Sequence, residues 1–386
     1  MQLEEIKRTF AELYGEGEVL SFHSPGRVNL IGEHTDYNGG YVLPCALSLG
    51  TYGIARKRQD SLLRLASTNF GIRPVEFDLK HPVYSSEHKW ANYFLGVAYE
   101  FNKLGCNFSG VDLLVSGNLS SNAGLSSSAS IELLMSVVLD CLYECKIPMT
   151  ELVMLSQRAE NDFVGLKCGI MDQFAVGMGK KGMAMLLDCA TLNCEYIPVK
   201  LAGHSLVIAN TNSPRSLADS KYNERRVQCE AAVDMLRARL NIELLGEIST
   251  EMFEEHKYLI TDETILKRAQ HVVYEIERTK QAAQCLIDDD LVAFGKLMNE
   301  SHNSLSALYE VAGFALDAMV YAARKQDGVL GSRMTGGGFG GCTVSLVRED
   351  CVPAFIKNVA FDYEEKTSLV PEFYIADIGD GTRRID

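Results

Sequence analysis

Ser24-Pro-Gly-Arg-Val-Asn-Leu-Ile-Gly-Glu-His-Thr-Asp-Tyr-Asn-Gly-Gly-Tyr41 is the stretch on which the reading of this chain turns. Its short, mostly apolar run from Val28 to Ile31 predicts a strand. Arg27 stands at one end of that strand, and Glu33, His34 and Asp36 follow the other. Gly32, Asp36, Asn38, Gly39 and Gly40 are turn formers, so the strand runs into a loop. A charged loop with an Asn-Gly pair can be simply a turn. Four ionisable groups gathered around one strand and its loop also suit a pocket that grips a small polyhydroxylated molecule. On this segment alone both readings stand.

The rest of the chain narrows the choice. At 386 residues it is too long for one comfortable core, which predicts two domains. The expected division is 1–195 and 196–386. A hydrophobic content of 47% and a charged content of 23% are those of an ordinary globular protein. The net charge of −14 argues against a nucleic-acid or anionic-membrane binder, which needs a basic face. It leaves room for an anionic nucleotide held locally by backbone N–H groups and a metal ion. The 11 cysteines include no C-x-x-C pair, and several, such as Cys45, Cys141 and Cys342, sit in apolar settings. That pattern predicts reduced thiols in a cytoplasmic protein, not a disulfide frame or a zinc site. Leu3, Ile6, Phe10 and Leu13 follow helical spacing, so the N-terminal segment reads as a packed helix and not a signal peptide. No uninterrupted apolar run is long enough to span a bilayer, so no membrane partner is expected.

Periodicity predicts strands over 41–56, 61–68 and 111–116, and a helix over 92–104. A serine-rich loop then leads into a long buried helix from about Ile131 to Tyr143. A further helix is expected over 151–164, followed by a glycine-rich segment over 165–182. A strand over 205–210 opens the second half. Helical patterns dominate from 221 to 325, and strands return at 343–347 and 372–376.

Three further motifs carry chemistry. Gly117-Asn-Leu-Ser-Ser-Asn-Ala-Gly-Leu-Ser-Ser-Ser-Ala-Ser130 precedes the long helix. Small residues let a backbone approach an anion, and the helix start offers free N–H groups and a positive dipole end. Serines are also good N-caps, but three in a row plus Ser130 exceed what one cap needs, which favours a phosphate cradle. Gly336 to Gly341 fits G-x-G-x-x-G, yet the alternating Cys342-Thr-Val-Ser-Leu-Val347 follows it where a dinucleotide fingerprint needs a helix. Those glycines read instead as a loop passing close to another backbone or to a phosphate. In Gly169-Ile-Met-Asp-Gln173, Asp172 is either a helix N-cap or a general base near a reactive hydroxyl. Spacing alone does not decide between them.

Taken together, these segments resemble the galactokinases, within the larger GHMP family that includes homoserine, mevalonate and phosphomevalonate kinases. Arg27 to Tyr41 is similar to the galactokinase signature, Gly124 to Ser130 to the ATP-binding motif, and Gly336 to Gly341 to the third, glycine-rich motif. Trp90-Ala-Asn-Tyr93 and Gly295-Lys-Leu-Met-Asn-Glu-Ser301 fit in order and spacing, so the resemblance covers nearly the whole chain. It implies an α+β, two-domain GHMP-kinase-like fold, each domain a mixed or antiparallel sheet packed with helices, with the active site in the cleft between them. It also implies transfer of the γ-phosphoryl group of ATP to the anomeric hydroxyl of galactose, as the entry step of galactose catabolism.

By the same resemblance Glu33, His34, Thr35, Asp36, Gly169 and Tyr222 would bind the sugar. Asp172 would be the catalytic carboxylate and Arg27 its partner. Gly124, Leu125, Ser126, Ser127, Ser128, Ala129 and Ser130 would hold the nucleotide, with Ser67 touching it. Ser130 and Glu160 would hold Mg²⁺. Tyr222 could equally be an ordinary half-buried tyrosine and Glu160 a solvated helix residue. The chain departs from the family at Ala312-Gly-Phe-Ala-Leu-Asp317, where galactokinases carry Thr or Ser first and a Glu before Leu-Asp. That touches helix packing and none of the catalytic residues. The implied partners are galactose and ATP, with no nucleic acid and no membrane, for a cytoplasmic monomer. Two competing readings are a kinase for N-acetylgalactosamine or arabinose, and a non-catalytic sensor of sugar and ATP. The presence of Ser128-Ala129 and Asp172 favours an enzyme.

Overall fold

The computed structural model describes residues 3–119, 124–214 and 218–386. In chain order the strands are β1 (Leu20–Asn29), β2 (Tyr41–Val42), β3 (Pro44–Lys57), β4 (Leu62–Ser67), β5 (Gly71–Asp78), β6 (Val111–Gly117), β7 (Met183–Asp188), β8 (Cys194–Pro198), β9 (His204–Asn210), β10 (Val329–Thr335), β11 (Cys342–Arg348), β12 (Glu372–Ala376) and β13 (Arg383–Arg384). The helices are α1 (Leu3–Tyr14), α2 (Ala91–Lys103), α3 (Ser127–Tyr143), α4 (Met149–Arg158), α5 (Met171–Met178), α6 (Ala218–Leu236), α7 (Thr250–His256), α8 (Glu263–Ile287), α9 (Leu291–Ser304), α10 (Gly313–Arg324) and α11 (Val352–Thr367). None of the described helices is long and apolar enough to cross a membrane.

The largest sheet runs β13-β1-β3-β6-β4-β5 and is antiparallel except where β4 pairs with β6. A second, antiparallel sheet runs β10-β11-β9-β12, and a small one runs β2-β7-β8. The α+β expectation therefore holds, with mixed and antiparallel sheets packed against helices. Leu63, Leu65 and Leu113 of the first sheet share a core with Phe94 of α2, Leu133 and Val138 of α3, Leu155 of α4 and Phe174 of α5. Each such side chain contributes roughly 1.5–3 kcal/mol on burial. Ile6, Phe10 and Tyr14 of α1 cover the other face against Ile54, Ala66 and Leu114.

β1 is buried on both faces almost end to end, which is why it carries Ser21, His23 and Ser24 without polar–apolar alternation. The sequence pattern marks only Val28 to Ile31 of this region. The strand is irregular between Pro25 and Arg27. A Cβ on Gly26 would lie 2.8 Å from the Leu125 carbonyl oxygen, and Arg27 N donates to that oxygen at 3.2 Å. The bare backbone at Gly26 thus lets the serine-rich segment dock on the strand that carries Arg27.

The two larger sheets meet around the end of β1. Val28, Leu30 and Ile31 pack in one cluster with Leu206, Ile208 and Val344. The Thr335 hydroxyl donates to the Asn29 carbonyl at 3.0 Å, and Arg333 donates to the Asn29 and Leu30 carbonyls, both at 3.2 Å. Residues 378–386 return to the first sheet. Ile378 bridges Leu47, the Thr382 hydroxyl lies 2.8 Å from that of Ser24, and β13 pairs with Phe22 and His23.

Several elements differ from the sequence reading. α3 begins at Ser127, a turn before Ile131, because the serines themselves enter the helix. The glycine-rich stretch 165–182 contains α5, and β5, β7, β8, β10 and α11 were not legible in the pattern. The helix expected over 151–164 is α4 followed by a wider π turn over Ala159–Val164, stopped at Gly165 with φ +93°. Such a turn re-aims side chains, and here it carries the buried Glu160.

Candidate active site

A cavity of about 1080 Å³ opens where the loop after β1, the start of α3, the π turn, α5, α6 and the glycine-rich loop converge. At its centre Arg27 grips Asp172 with two parallel bonds, Nε to Oδ1 at 2.8 Å and Nη2 to Oδ2 at 2.9 Å. Arg27 Nη1 also donates to the Gly124 carbonyl at 2.7 Å, and the Ser126 hydroxyl donates to Asp172 Oδ2 at 2.5 Å. The planar guanidinium therefore fixes the carboxylate in position and orientation. It also ties the carboxylate to the mouth of α3. Ser126 is in the left-handed region at φ +58°, just before the free N–H groups of the helix. That end of the cavity is built for an anion.

The sugar-signature loop forms one wall. Glu33 accepts from Gly336 N at 3.0 Å and is ion-paired with Arg333, both side chains being buried. Burial pushes the Glu33 carboxyl up and Arg333 opposes it. Burial pushes Asp36 up to about 6, and the nearby Asp172 charge adds to the rise. Gly169 presses on Asp36: a Cβ there would come within 1.8 Å of Asp36 Oδ2. No side chain fits without moving that carboxylate. His34 has φ +64° and packs against Tyr222 and Tyr309, with ring centroids 5.4 and 4.8 Å away. Burial pushes its imidazole down to about 3. Thr35 does not line the cavity. Its buried hydroxyl donates within the loop, to the Gly32 and Tyr41 carbonyls, so it shapes the turn instead of meeting a ligand.

The serine motif divides. Gly124, Ser126, Ser127 and Ser128 line the cavity, whereas Leu125, Ala129 and Ser130 do not. Ser130 is fully buried, and its hydroxyl bonds the Ser24 carbonyl at 2.8 Å and Thr51 Oγ1 at 3.0 Å. It therefore holds α3 to β1 and β3 and does not face Glu160, contrary to expectation. Ser128 is the serine that bonds Glu160. Glu160 Oε2 also accepts from Gln173 at 2.6 Å and from the Cys168 thiol at 3.5 Å. None of these partners is cationic. Burial and the Asp172 charge push Glu160 up to about 7. The buried Glu132, 3.1 Å from the same Gln173 amide, is pushed up further, by burial and by Glu160. This gathering of buried carboxyl groups without a cationic partner, beside a hydroxyl and next to the anion end, fits a divalent cation. Among the described residues no three or more His, Cys, Asp or Glu side chains are placed to hold a metal ion between them. A small protein donor set suits Mg²⁺, which takes much of its shell from water and phosphate oxygens.

The far end of the cavity is aromatic. Phe70 and Trp90 stack with centroids 5.6 Å apart and planes at 29°, and Tyr84 and Tyr93 line the same end. Ser67, also on the lining, accepts from Asn69 N and Phe70 N at 3.1 and 3.3 Å, which bends the chain after β4 and presents Phe70. The sequence reading gave Phe70 and Trp90 no role. A signal was present in the chain's single tryptophan beside two further aromatic residues, Tyr93 and Phe94.

The fold and the site define a class. Family models described as the GHMP kinases N terminal domain and GHMP kinases C terminal match residues 92–180 and 282–364. The crystal structure of Methanococcus jannaschii mevalonate kinase shares the fold, with a TM-score of 0.64 at 17% identity, covering 95% of this chain and 100% of that one. A third model, the galactokinase galactose-binding signature, matches residues 8–57. The galactokinase of Fusobacterium nucleatum is 54% identical, covering 99% of this chain and 100% of that protein, and that of Bacillus subtilis is 51% identical, covering 99% of each. The crystal structure of Lactococcus lactis galactokinase complexed with galactose superimposes with a TM-score of 0.97 at 47% identity, covering 99% of this chain and all of that one. The chain belongs to the galactokinase family.

Proposed function

We propose the following division of labour for the galactokinase reaction in this chain, in which the γ-phosphoryl group of ATP passes to the anomeric hydroxyl of α-D-galactose and leaves galactose 1-phosphate and ADP. Asp36, His34 and Tyr222 contact sugar hydroxyls, and Gly169 holds Asp36 in place. Glu33 acts through the loop: its carboxylate is taken up by Arg333 and Gly336 N. Asp172 orients the anomeric hydroxyl and receives its proton as the O–P bond forms. Arg27 keeps that carboxylate aimed and neutralises charge on the transferring group. The N–H groups at the start of α3, with Ser126 to Ser128, cradle the phosphates. Phe70, Trp90 and Tyr93 offer the nucleobase a stacking platform. Ser128 and Glu160 are the residues that would hold Mg²⁺, which when bound neutralises phosphate charge. The observation that carries this reading is the two-bond Arg27–Asp172 pair, set between the anion-ready helix start and the Asp36–Gly169 wall.

The finer assignments are proposals of the same kind. A division at residues 1–195 and 196–386 is supported by the sheet membership of β1, β3 to β6 and β9 to β12, with β13 crossing back to the first sheet. A cytoplasmic location and a monomeric state are further proposals of this kind. Release of ADP from Mg²⁺ and ATP over a sugar panel tests the reading as a whole. Galactose should turn over far faster than N-acetylgalactosamine or arabinose. Faster turnover of either competitor would move the substrate, and none with any sugar would favour a sensor.

Asp36 gives a pH dependence. Its folded value, about 6, lies above the ordinary 3.8, so the folded chain holds this proton more tightly than the unfolded chain does. Below about 6 the carboxyl is protonated and becomes a weaker acceptor, so KM for galactose should rise there. The sign for stability is opposite to that of a salt-bridged carboxylate: Asp36's contribution falls as pH rises through that window. Asp36→Asn should therefore stabilise the sugar-free protein at pH 8 by about 1–3 kcal/mol while losing galactose affinity. A lower melting temperature for that variant at pH 8 would contradict it.

A further inference from the structure

His34, Tyr37, Tyr309 and Cys229 form one continuous chain of hydrogen bonds behind the sugar wall. His34 Nδ1 lies 2.9 Å from the Tyr37 hydroxyl, that hydroxyl 2.8 Å from the Tyr309 hydroxyl, and the latter 3.1 Å from Cys229 Sγ. The members come from separate places: the loop after β1, the turn following α9, and α6. Tyr309 and Cys229 are buried, with 0% and 1% exposure. His34 lines the cavity, and its buried Nε2 makes no close, well-aligned hydrogen bond among the described residues, the Gly337 backbone being near the ring. The imidazole, which burial pushes down to about 3, is neutral at physiological pH, so one ring nitrogen carries hydrogen and the other a lone pair.

Each phenol and the thiol has one hydrogen to give, so the chain runs in one direction at a time. In one direction Cys229 donates to Tyr309, Tyr309 to Tyr37, and Tyr37 to His34 Nδ1, which leaves the hydrogen on Nε2. In the other, Nδ1–H donates to Tyr37, Tyr37 to Tyr309, and Tyr309 to the Cys229 sulfur, which leaves Nε2 bare. The first matches a phenol hydrogen with an imidazole nitrogen, a strong neutral acceptor, and asks of sulfur only a weak donation. The second spends a phenol hydrogen on sulfur, a weak acceptor. In a low-dielectric interior successive bonds polarise one another, so the favourable end bond sets the whole chain.

We propose that Cys229, Tyr309 and Tyr37 are positioning residues that lock His34 in its Nε2–H form, so that the sugar wall presents a fixed N–H donor beside the Asp36 acceptor. The ligand atom that meets His34 must then offer a lone pair, while the hydroxyl that meets Asp36 must offer a hydrogen. Specificity arises from this fixed polarity: a donor-only group at the His34 position leaves two hydrogens facing each other. The proposal rests on the reading of His34 as a sugar contact.

Long-range ¹H–¹⁵N NMR of the sugar-free protein, labelled at histidine and assigned with His34→Gln, reads the tautomer directly. The wild type should show hydrogen on Nε2 and a bare Nδ1. A wild type with hydrogen on Nδ1 overturns the relay, and this needs no variant to fold. Tyr37→Phe removes the donor to Nδ1 and should shift His34 toward a mixture, with KM for galactose raised about tenfold, the loss of one well-placed hydrogen bond, and kcat and KM for ATP nearly unchanged. An unchanged tautomer in a folded Tyr37→Phe protein also overturns the relay. The underlying reading is tested apart from it: an unchanged galactose KM in His34→Gln would remove His34 from the sugar wall whatever its tautomer.

Discussion

Asp172→Asn should fold and bind both substrates, yet lose turnover by roughly 10²–10⁴-fold, the range associated with removing a positioned proton acceptor. The exchange is isosteric, so the cavity keeps its shape. Its cost falls on Arg27, which is only 4% exposed and loses the two-bond partner that its Nε and Nη2 hold at 2.8 and 2.9 Å. One of those bonds survives to the amide oxygen, and the Gly124 carbonyl still accepts from Nη1. The penalty to folding should therefore stay near 1 kcal/mol. A second consequence follows from charge. Asp172 is one cause of the raised Asp36 value. Without that charge Asp36 should ionise at lower pH, so calorimetric binding of galactose should persist further into acid in the variant than in the wild type. Near-normal turnover of Asp172→Asn would end its catalytic assignment. An unshifted acid limb would separate Asp36 from Asp172.

Arg333→Met should be the most damaging single change to stability, at about 3–5 kcal/mol, measured as a shift of the urea midpoint at constant slope. Arg333 is fully buried, and so is its partner Glu33 at 1% exposure. The same guanidinium donates to the Asn29 and Leu30 carbonyls. Deleting it strands a buried carboxylate with Gly336 N as its donor and takes a hydrogen from the Leu30 carbonyl, whereas the Asn29 carbonyl keeps the Thr335 hydroxyl. Methionine fills much of the volume, so the loss is electrostatic and not a cavity. Glu33→Gln made in the same chain should recover part of the loss, because the uncompensated charge goes with it. A double-mutant cycle would show the coupling. A loss below about 1 kcal/mol would mean that water or another donor replaces the guanidinium.

The residues of the site were more legible than their surroundings. Arg27 and Asp36 could be named because polar groups clustered at strand ends stand out against an apolar pattern, whereas spacing left Asp172 open between a helix cap and a base, and only the family resemblance gave it a role. β11 could be named because Thr343 to Val347 alternates. The first half of β1 could not: Ser21, His23 and Ser24 look like loop, and they are strand because they pair with β3 on one side while residues 378–386 cover the other. Ser130 came to the cation site through the resemblance and not through a helix position. At 3.6 residues per turn, positions two apart lie on nearly opposite sides of a helix, and the serine that bonds Glu160 is Ser128. Glu160 itself reaches the site through a widened turn that 3.6-residue periodicity does not reveal. Phe70 and Trp90 lie on different elements, and their stacking is a product of the tertiary fold.

The return of residues 378–386 to the first sheet has a consequence for how the molecule is made. Ribosomes release a chain from its N-terminal side, so the strand that carries Arg27 emerges well before the segment that closes its edge. Its outer neighbour β13, the Thr382 hydroxyl that meets Ser24, and the Ile378 bridge to Leu47 emerge long after it. Throughout translation β1 is therefore an open edge, with polar groups that the finished protein encloses. Such edges recruit other strands, from the same chain or from a neighbour. The order of synthesis and the order of assembly are thus opposed in this fold. Nascent chains stalled before residue 378 should expose the strand on which catalysis depends.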